Sequence, residues 1–535
     1  MMLPEDMRLW VGRDHFVWFL IEVIDGLDMT VLQGLGKPGK GRPGYDPRML
    51  AVLLIYAYLQ AERSSRRIEG RCRTDAAFRI ATGNLVPDHS TICRFRAAAA
   101  YPGGPLEDLF THVLFVLAAA GLGRLDVICV DGSKIWADAS KQANRTGAGL
   151  RKLARAILDE AGRADGEGCA CAGHEHGGAA GLQGPDSCGC CDGGTLPGLG
   201  LDSPAVPRGG WGGATRAQRI AAGLAGLQAA RLEREQERRA AAGAYLAAAR
   251  EGRAPCGGIP AGVAVEVAEL RLEQALAKDA QTDARWAAAG RRMGGRRREG
   301  TGSARTRKAR QQLTVAVTAR NDKDAAGAAP EGKKAPQPVR NITDPDSRAM
   351  HCTLRGPVQA YNCQVPRTAD GVFLLPRTTQ DTNDAAQVTP ALQAIARSQD
   401  IIAAGHAAAG HPGFWSRTGT IVFDPGYFSK DNCQAPGPDR LIGTGGGWKD
   451  TTPQHGPGCD HHDPRDQMAH NLSTRQGRDL CRRRAPISEG GFADLKERTG
   501  LRRFAMRGAA KAQGELLLAC AAGNIHLLYR RTRPA

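Results

Sequence analysis

Two short apolar runs, Leu125–Val130 and Thr420–Phe423, are each followed at once by an aspartate, Asp131 and Asp424. Both runs are short and rich in β-branched residues, so they predict buried strands. Between them, residues 145–340 lack a comparable strand pattern. We therefore predict a mixed fold of the α+β or α/β class, in which one sheet with helices is interrupted by a large helical and loop insertion.

The first 120 residues predict an all-α N-terminal domain. Asp46 and Pro47 precede a long apolar run, in the order typical of a helix N-cap and first helical residue. Farther along, Pro87–Arg96 predicts a short capped helix whose basic face includes Arg94 and Arg96. Two interpretations stay open: helix-turn-helix DNA binding, and a plain helical bundle whose arginines face solvent.

Further elements are predicted within the insertion and after residue 341. Apolar residues on either side of the turn signal Thr368–Gly371 indicate a hairpin. The other predicted elements are helices at Ala217–Ala249, Val263–Ala289, Thr389–Ala404, Glu489–Arg498 and Gln513–Tyr529, and a strand at Arg440–Gly443. The chain thus divides into residues 1–120, residues 121–144 with 341–535, and the insertion at 145–340.

The charge balance is strongly basic, with 72 Lys and Arg residues against 55 Asp and Glu residues and a formal net charge of +17. Such a surplus indicates a polyanionic partner, which for a soluble chain is usually nucleic acid. An arginine-rich composition without such a partner is the alternative. The densest block is Arg291–Arg310, where the candidate phosphate contacts are Arg296, Arg297, Arg298, Arg307 and Lys308.

The location of the protein is predicted from its apolar runs and its cysteines. The apolar runs are shorter than the roughly twenty residues of a membrane span, and the first residues lack the pattern of a signal peptide. The chain has 15 cysteines, an odd and scattered set that favours free thiols in a reducing compartment. We therefore expect a cytoplasmic protein, associated with the nucleoid when it binds DNA.

Three carboxylates form the candidate catalytic set. The ends of neighbouring strands can bring Asp131 and Asp424 together, and a late helix can add Glu489. Oxygen ligands of this kind suit Mg²⁺, and two such ions can promote phosphodiester cleavage. The alternative is that strand-end acids are ordinary turn residues. Rival third acids are Glu497 and Glu515, whereas turn and capping roles are expected for Asp138, Asp344 and Asp346.

A cysteine-rich segment is the second candidate site. Cys169, Cys171, Cys188 and Cys190 lie close together in a Gly-rich stretch that also holds two histidines. Soft ligands at this density can close a tetrahedral structural Zn²⁺ site. Because the Cys-x-Cys spacing is tighter than usual and the context offers no evident scaffold, an unstructured insert remains the alternative.

Several motifs occur in one order along most of the chain. They are Gly41–Pro47, Val130–Lys134, Asn341–Arg348, Tyr361–Gln364, Asp424–Tyr427, Glu489 with Lys496, Arg503-Phe504 and Arg507-Gly508. In this order they resemble bacterial insertion-sequence transposases of the DDE type, although each alone would be weak. The family's tyrosine before the glutamate has no counterpart in Gly477–Arg484, which leaves open which arginine there contacts phosphate.

The resemblance implies a ribonuclease-H-like catalytic domain behind a helical N-terminal transposase domain. It implies that Asp131, Asp424 and Glu489 hold two Mg²⁺ or Mn²⁺ ions, and that Lys496 touches DNA phosphate. The implied reaction is cleavage at the ends of the mobile element and joining of those ends to target DNA, by a homo-oligomer bound to DNA. Two alternatives are a nuclease of the same fold and a catalytically decayed DNA-binding protein.

Overall fold

A computed structural model of the chain describes ten stretches of sequence. They are residues 6–27, 44–167, 215–251, 258–260, 262–290, 302–325, 338–352, 356–411, 417–445 and 463–532. The chain divides into two compact units, one formed by Met1–Gly223 with Arg340–Ala535 and the other by Leu224–Val339. Across the described stretches, every helix is too short or too polar to span a lipid bilayer.

The described residues of the first unit begin with a 3-10 turn at Met7–Leu9 and six α-helices. These are α1 (Phe16–Asp25), α2 (Pro47–Leu59), α3 (Ser65–Thr74), α4 (Ala76–Ala81), α5 (His89–Ala98) and α6 (Pro105–Ala119). The predicted start of α2 is confirmed, because the Asp46 side chain accepts a hydrogen bond from the Arg48 amide and Pro47 is the first helical residue. Helix α2 is buried almost all round, as its unbroken apolar sequence requires.

A mixed sheet follows the helices. Its strands are β1 (Val127–Trp136), β4 (Arg348–Cys352), β5 (Gly356–Thr368), β6 (Arg377–Thr379), β7 (Thr420–Phe423) and β8 (Arg440–Ile442). They lie in the order β4-β5-β1-β7-β8, with β6 also paired to β5. The pairs of β5 with β1, β4 and β6 are antiparallel, whereas β7 is parallel to both β1 and β8. Two further strands, β2 (Asn144–Thr146) and β3 (Val339–Asn341), form a separate pair.

Strand β1 continues past the point where the sequence predicted its end. Asp131 was expected just beyond the strand, but it lies in the middle of β1 and pairs with Val365 of β5. The thirteen-residue β5 supplies ladder partners as far as Trp136, so β1 extends through polar residues that no local apolar pattern marks. Asp424 does follow β7 directly, as predicted.

The later helices cover the sheet and join it to the N-terminal helices. They are α11 (Val388–Ala408), α12 (Lys430–Gln434), α13 (Pro464–Ser473), α14 (Arg475–Ala493), a π-helical turn at Asp494–Arg498 and α15 (Ala509–Thr532). The predicted helices at Thr389–Ala404 and Gln513–Tyr529 are confirmed within α11 and α15. Because α15 packs against both α2 and α6, residues 1–120 share one hydrophobic core with the sheet.

In its described stretches, the predicted insertion contains four long helices, α7 (Gly147–Glu167), α8 (Arg216–Arg250), α9 (Ala264–Ala288) and α10 (Ala304–Ala325). Those predicted at Ala217–Ala249 and Val263–Ala289 are confirmed as α8 and α9. The second unit starts at Leu224, later than the predicted boundary at residue 145, and α7 therefore lies in the first unit.

Candidate active site

Asp131 and Asp424 lie side by side at the centre of the sheet. The parallel register of β1 and β7 aligns Val130 with Phe423, so the next residue of each chain segment is one of the two aspartates. The guanidinium of Arg484, on α14, contacts both: its nitrogens lie 3.8 Å from an Asp131 carboxylate oxygen and 3.1 Å from an Asp424 oxygen. The prediction that the sheet would bring these two acids together is thus met in their geometry.

The Asp131 carboxyl has an unusual electrostatic environment. Burial, and after it the negative charge of Asp424, raise its pKa from the ordinary 3.8 to about 6. The charge of Arg484 and the hydrogen bond from the Gly132 amide, at 2.8 Å, oppose this rise. A carboxyl placed this way among like charges favours a bound cation or a proton over an unpaired charge.

A third carboxylate, Asp384, approaches β1 from the opposite face. One of its oxygens accepts hydrogen bonds of 2.7 Å from each of the Asn362 and Gln364 side-chain amides of β5. Its other oxygen lies 3.4 Å from the Lys134 ammonium group. Asp384 also adds to the negative potential that raises the pKa of Asp131.

Gly132 makes this approach possible. A Cβ atom at this position would lie 2.5 Å from the Gln364 amide nitrogen and 2.6 Å from an Asp384 oxygen. Such distances are far below van der Waals contact, so any larger residue would displace the Asp384 group. The close packing of Gln364 and Asp384 against β1 therefore requires a glycine at position 132.

The Gln364 amide is held from both sides. Its nitrogen donates to Asp384, while its oxygen accepts a hydrogen bond from the hydroxyl of the fully buried Tyr427. Burial and the charge of Asp384 raise the pKa of Tyr427 well above its ordinary value, so the tyrosine stays a donor. The amide orientation is thereby fixed, and with it the position of the Asp384 carboxylate.

The sequence-based search missed Asp384, Arg484 and the amides of β5. Asp384 stands between β6 and α11 in a stretch without regular structure, where an isolated acid is usually a turn residue. A usable signal was the pair of amides Asn362 and Gln364 inside an otherwise apolar strand. Both are buried in the structure, and buried amides need polar partners.

Glu489 is not part of the Arg484 ion-pair group. Its side chain is exposed on α14 and forms neither a hydrogen bond nor an ion pair within the described part of the chain. Helix α14 nevertheless packs against β1, β5 and β7. Lys496, predicted to act with Glu489, lies close to the aspartates, since its ammonium group donates a 2.9 Å hydrogen bond to the hydroxyl of Ser133 on β1.

The rival and accessory acids have structural roles. Exposed Glu497 pairs with Arg502, whereas fully buried Glu515 accepts hydrogen bonds from the amides of Ala505 and Met506. The three acids expected to cap or turn each accept hydrogen bonds: Asp138 from Arg507, Asp344 from the Tyr361 hydroxyl and Asp346 from the Ala509 amide.

The donor set suits a hard divalent cation. Asp131 and Asp424 offer carboxylate oxygens close enough together to share one guanidinium, and these are the ligands that Mg²⁺ prefers. Among the described residues, the group of three possible ligands within 4.8 Å of one another lies elsewhere, at Glu69, Asp88 and His89. There the Glu69 carboxylate already accepts hydrogen bonds from Arg73 and from His89, which ties α3 to α5.

The predicted DNA-binding residues differ in their exposure. Arg94, Arg307 and Lys308 are exposed. Arg96 is buried, and its guanidinium donates to the Arg63 carbonyl oxygen and the Ser65 hydroxyl. The prediction for Arg96 is therefore wrong, because this guanidinium is used inside the fold. The remaining predicted DNA contacts, Arg296, Arg297 and Arg298, lie outside the described residues. The same holds for the predicted zinc ligands Cys169, Cys171, Cys188 and Cys190.

Two protein families match the chain, one near each end. Residues 5–98 match a family described as Transposase domain (DUF772), and residues 454–529 match one described as Transposase DDE domain. The first match covers helices α1 to α5, and the second covers α13 and α14 with Glu489, as well as Lys496. No curated protein and no solved structure matches the chain. A transposase domain match near the beginning of the chain and a transposase DDE domain match near its end together support an insertion-sequence transposase of the DDE type.

Proposed function

We propose that this transposase cleaves DNA at the ends of its own insertion sequence and joins those ends to target DNA. The reaction would be phosphodiester hydrolysis followed by transesterification. The observation that carries the proposal is the pair Asp131 and Asp424: Asp131 lies on β1, Asp424 directly follows the neighbouring parallel strand β7, and both carboxylates contact the Arg484 guanidinium. The strand order β4-β5-β1-β7-β8 supports a ribonuclease-H-like sheet, in which these positions are the centre of the site.

The catalytic carboxylates would be Asp131, Asp424 and Glu489. Two bound Mg²⁺ or Mn²⁺ ions would supply activation of the attacking oxygen and stabilisation of the leaving oxygen. Asp131, in the middle of β1, and Asp424, directly after β7, would hold them from two rigid and neighbouring parts of the sheet, which keeps both ligands in place. Glu489 joins this set through the DDE-domain match and through the packing of its helix, α14, on β1 and β7.

Two cations near the acids have proposed roles of their own. Arg484 balances the charge of Asp131 and Asp424, so it must release at least one carboxylate when divalent ions bind. Lys496 is fixed beside Ser133, two residues along β1 from Asp131 and on the same face of the strand. A phosphate held there would lie beside the reacting centre, which fits the contact proposed for Lys496.

The remaining assignments concern DNA and assembly. We assign the helices of residues 1–120, with exposed Arg94, to recognition of the element ends, and Arg307 and Lys308 to phosphate contacts. A homo-oligomer in the DNA complex would let two active sites act on two element ends. Residues 121–144 and 341–535 are the proposed catalytic domain.

Strand cleavage of element-end DNA tests the catalytic assignment. We expect Asp131→Ala, Asp424→Ala and Glu489→Gln each to abolish cleavage while DNA binding is largely retained, because each removes one metal-binding carboxylate. Glu497→Gln is the matched control on the same segment and should cleave normally. A near wild-type rate for any of the three variants removes that residue from the site, and an inactive Glu497→Gln would transfer the third role to Glu497.

The same assay separates the alternatives. A nuclease would cleave the element ends but would not join the new 3′ ends to a target plasmid. A decayed DNA-binding protein would bind the ends and cleave nothing in Mg²⁺ or Mn²⁺. Joined products that disappear in the Asp131→Ala variant would support the transposase mechanism.

A further inference from the structure

The second unit contains a basic groove between α9 and α10. It is a cavity of about 220 Å³ that is lined by one strip of residues from each helix. The lining residues are Arg271, Gln274, Ala275 and Lys278 on α9, and Arg305, Lys308, Ala309 and Gln312 on α10. We call this cavity the α9–α10 groove.

The two strips have the same spacing. Each occupies positions i, i+3, i+4 and i+7 of its helix, which places its four side chains on one face. The third position in each is an alanine, Ala275 or Ala309, and both alanines are buried where the helices pack together. Small residues at the seam let the helices approach, so the longer cationic and amide side chains border the opening.

The helix pair is fixed in this arrangement by a buried carboxylate. Asp279 of α9 accepts a 2.9 Å hydrogen bond from the Ser303 amide and a 2.7 Å bond from the hydroxyl of fully buried Thr306. These contacts hold the first turn of α10 against α9. Gly302 just before it has φ +65°, and a Cβ there would lie 2.9 Å from Thr306, so this tight entry requires glycine.

The four cations of the groove have no anionic partner among the described residues. Arg271, Lys278, Arg305 and Lys308 line it, and none of the other lining residues is an acid. Elsewhere in this unit, exposed cations do find acids, as Arg239 does with Glu235 at 2.5 Å. An anion that enters the groove would therefore meet four positive charges and the amide of Gln312, whereas the amide nitrogen of Gln274 already donates a 2.8 Å hydrogen bond to the Ala249 carbonyl oxygen.

We propose that the α9–α10 groove binds the sugar–phosphate backbone of DNA, which rests on the proposed function in that DNA is the substrate and extends the phosphate contact assigned there to Lys308. Seven residues of helix separate Arg271 from Lys278, about 10.5 Å along the axis. One DNA strand advances about 3.4 Å per nucleotide along the duplex, so this row spans about three phosphates. Contacts to phosphate carry no sequence information, so we expect binding in this groove to be independent of DNA sequence.

The test compares two variants that lose the same charge. The groove variant carries Arg271→Gln, Lys278→Gln, Arg305→Gln and Lys308→Gln. The surface variant carries Arg231→Gln, Arg238→Gln, Arg285→Gln and Arg320→Gln, at exposed positions of the same unit that do not line the groove. Binding of the full-length protein to a random-sequence duplex is measured over a series of salt concentrations, without divalent metal.

The expected result is a difference in salt dependence. Each lost phosphate contact reduces the magnitude of the slope of log affinity against log salt by about 0.9. The magnitude of the slope should therefore fall by about 2–4 in the groove variant and by less than about 1 in the surface variant. Equal slopes for the two variants, or an unchanged slope in the groove variant, would overturn the proposal. The latter result would also be obtained if the groove served an acidic protein segment.

Two further variants keep the test decisive. If the fourfold groove variant fails to fold, Lys278→Gln with Lys308→Gln should lower the slope by about 1–2. The charge-preserving Lys278→Arg with Lys308→Arg should keep the wild-type slope. Asp131→Ala should bind DNA with the wild-type salt dependence and lose only cleavage. If the catalytic assignment is wrong, the salt dependence of the groove variant is therefore unaffected.

Discussion

Asp131→Asn should make the metal-free protein more stable at neutral pH while it abolishes cleavage. In the folded chain, burial and the charge of Asp424 raise the pKa of Asp131 from 3.8 to about 6. A rise of this size corresponds to about 3 kcal/mol of unfavourable free energy once the carboxyl is ionised. Asparagine has the same shape and no charge, and the attraction of Arg484 for the ionised carboxylate is already included in the pKa of about 6. We therefore expect a net gain of about 1–3 kcal/mol.

The sign of the pH dependence follows from proton binding. Between about pH 3.8 and pH 6 the folded chain holds the Asp131 proton more tightly than the unfolded chain does. The free energy of unfolding of the wild type therefore falls through this window as pH rises, and the loss is complete above about pH 7. The charged groups that act on this carboxyl are Asp424 and Asp384, which raise its pKa, and Arg484, which lowers it.

Urea unfolding of both proteins between pH 4 and pH 8, without divalent metal, measures this effect. The advantage of Asp131→Asn should be near zero at the acid end, grow through pH 6 and then level off. Asp126→Asn is the control, because Asp126 is half exposed just before the same strand and forms only a surface ion pair with Arg124. That variant should change stability by less than about 1 kcal/mol. An Asp131→Asn protein that is less stable at pH 7.5, or whose advantage does not vary with pH, would refute the reasoning.

Two substitutions test the fold, and one metal analysis tests the cysteine-rich segment. Gly132→Ala should lower the free energy of unfolding in urea by about 1–3 kcal/mol and abolish cleavage, because its Cβ would overlap Gln364 and Asp384. The control Gly70→Ala has open space around its Cβ and should be neutral or slightly stabilising. Glu515→Gln should lower the free energy of unfolding by about 2–4 kcal/mol, because it leaves the Arg63 guanidinium without its buried partner; unfolding at the wild-type urea concentration would contradict this. Purified protein should contain about one zinc per chain by elemental analysis if Cys169, Cys171, Cys188 and Cys190 form a structural site; metal-free protein whose melting curve is unchanged by a chelator would indicate an unstructured insert.

Elements with a local signal could be predicted from the sequence. Thr420–Phe423 is a strand with the predicted bounds, since its threonine and three apolar residues all favour a strand and are flanked by residues that end a strand on either side. Helix α2 starts where Asp46 and Pro47 indicate, because a cap and a first-turn proline act within a few residues of each other. The closeness of Asp131 and Asp424 could also be predicted, because it requires only that two locally recognisable strands lie next to each other in the sheet.

Features that depend on distant partners could not be predicted in this way. The second half of β1 exists because β5, more than two hundred residues later, continues to pair with it. Arg96 looked like a surface cation on a basic helix, yet the Arg63 carbonyl oxygen and the Ser65 hydroxyl draw it into the core. Neither partner can be recognised before the fold has placed it.

The two faces of β1 explain why the acids of the site do not act as one cluster. Side chains alternate along a strand, so Asp131 and Ser133 point to one face, where Arg484 and Lys496 meet them. Gly132 and Lys134 belong to the other face, where Asp384 is held. Asp384 therefore influences Asp131 through the thickness of the strand, as a negative charge whose position is fixed by two amides and a lysine. Because each face carries its own counter-cation, Arg484 can leave Asp131 and Asp424 for an incoming divalent ion while Lys134 continues to balance Asp384.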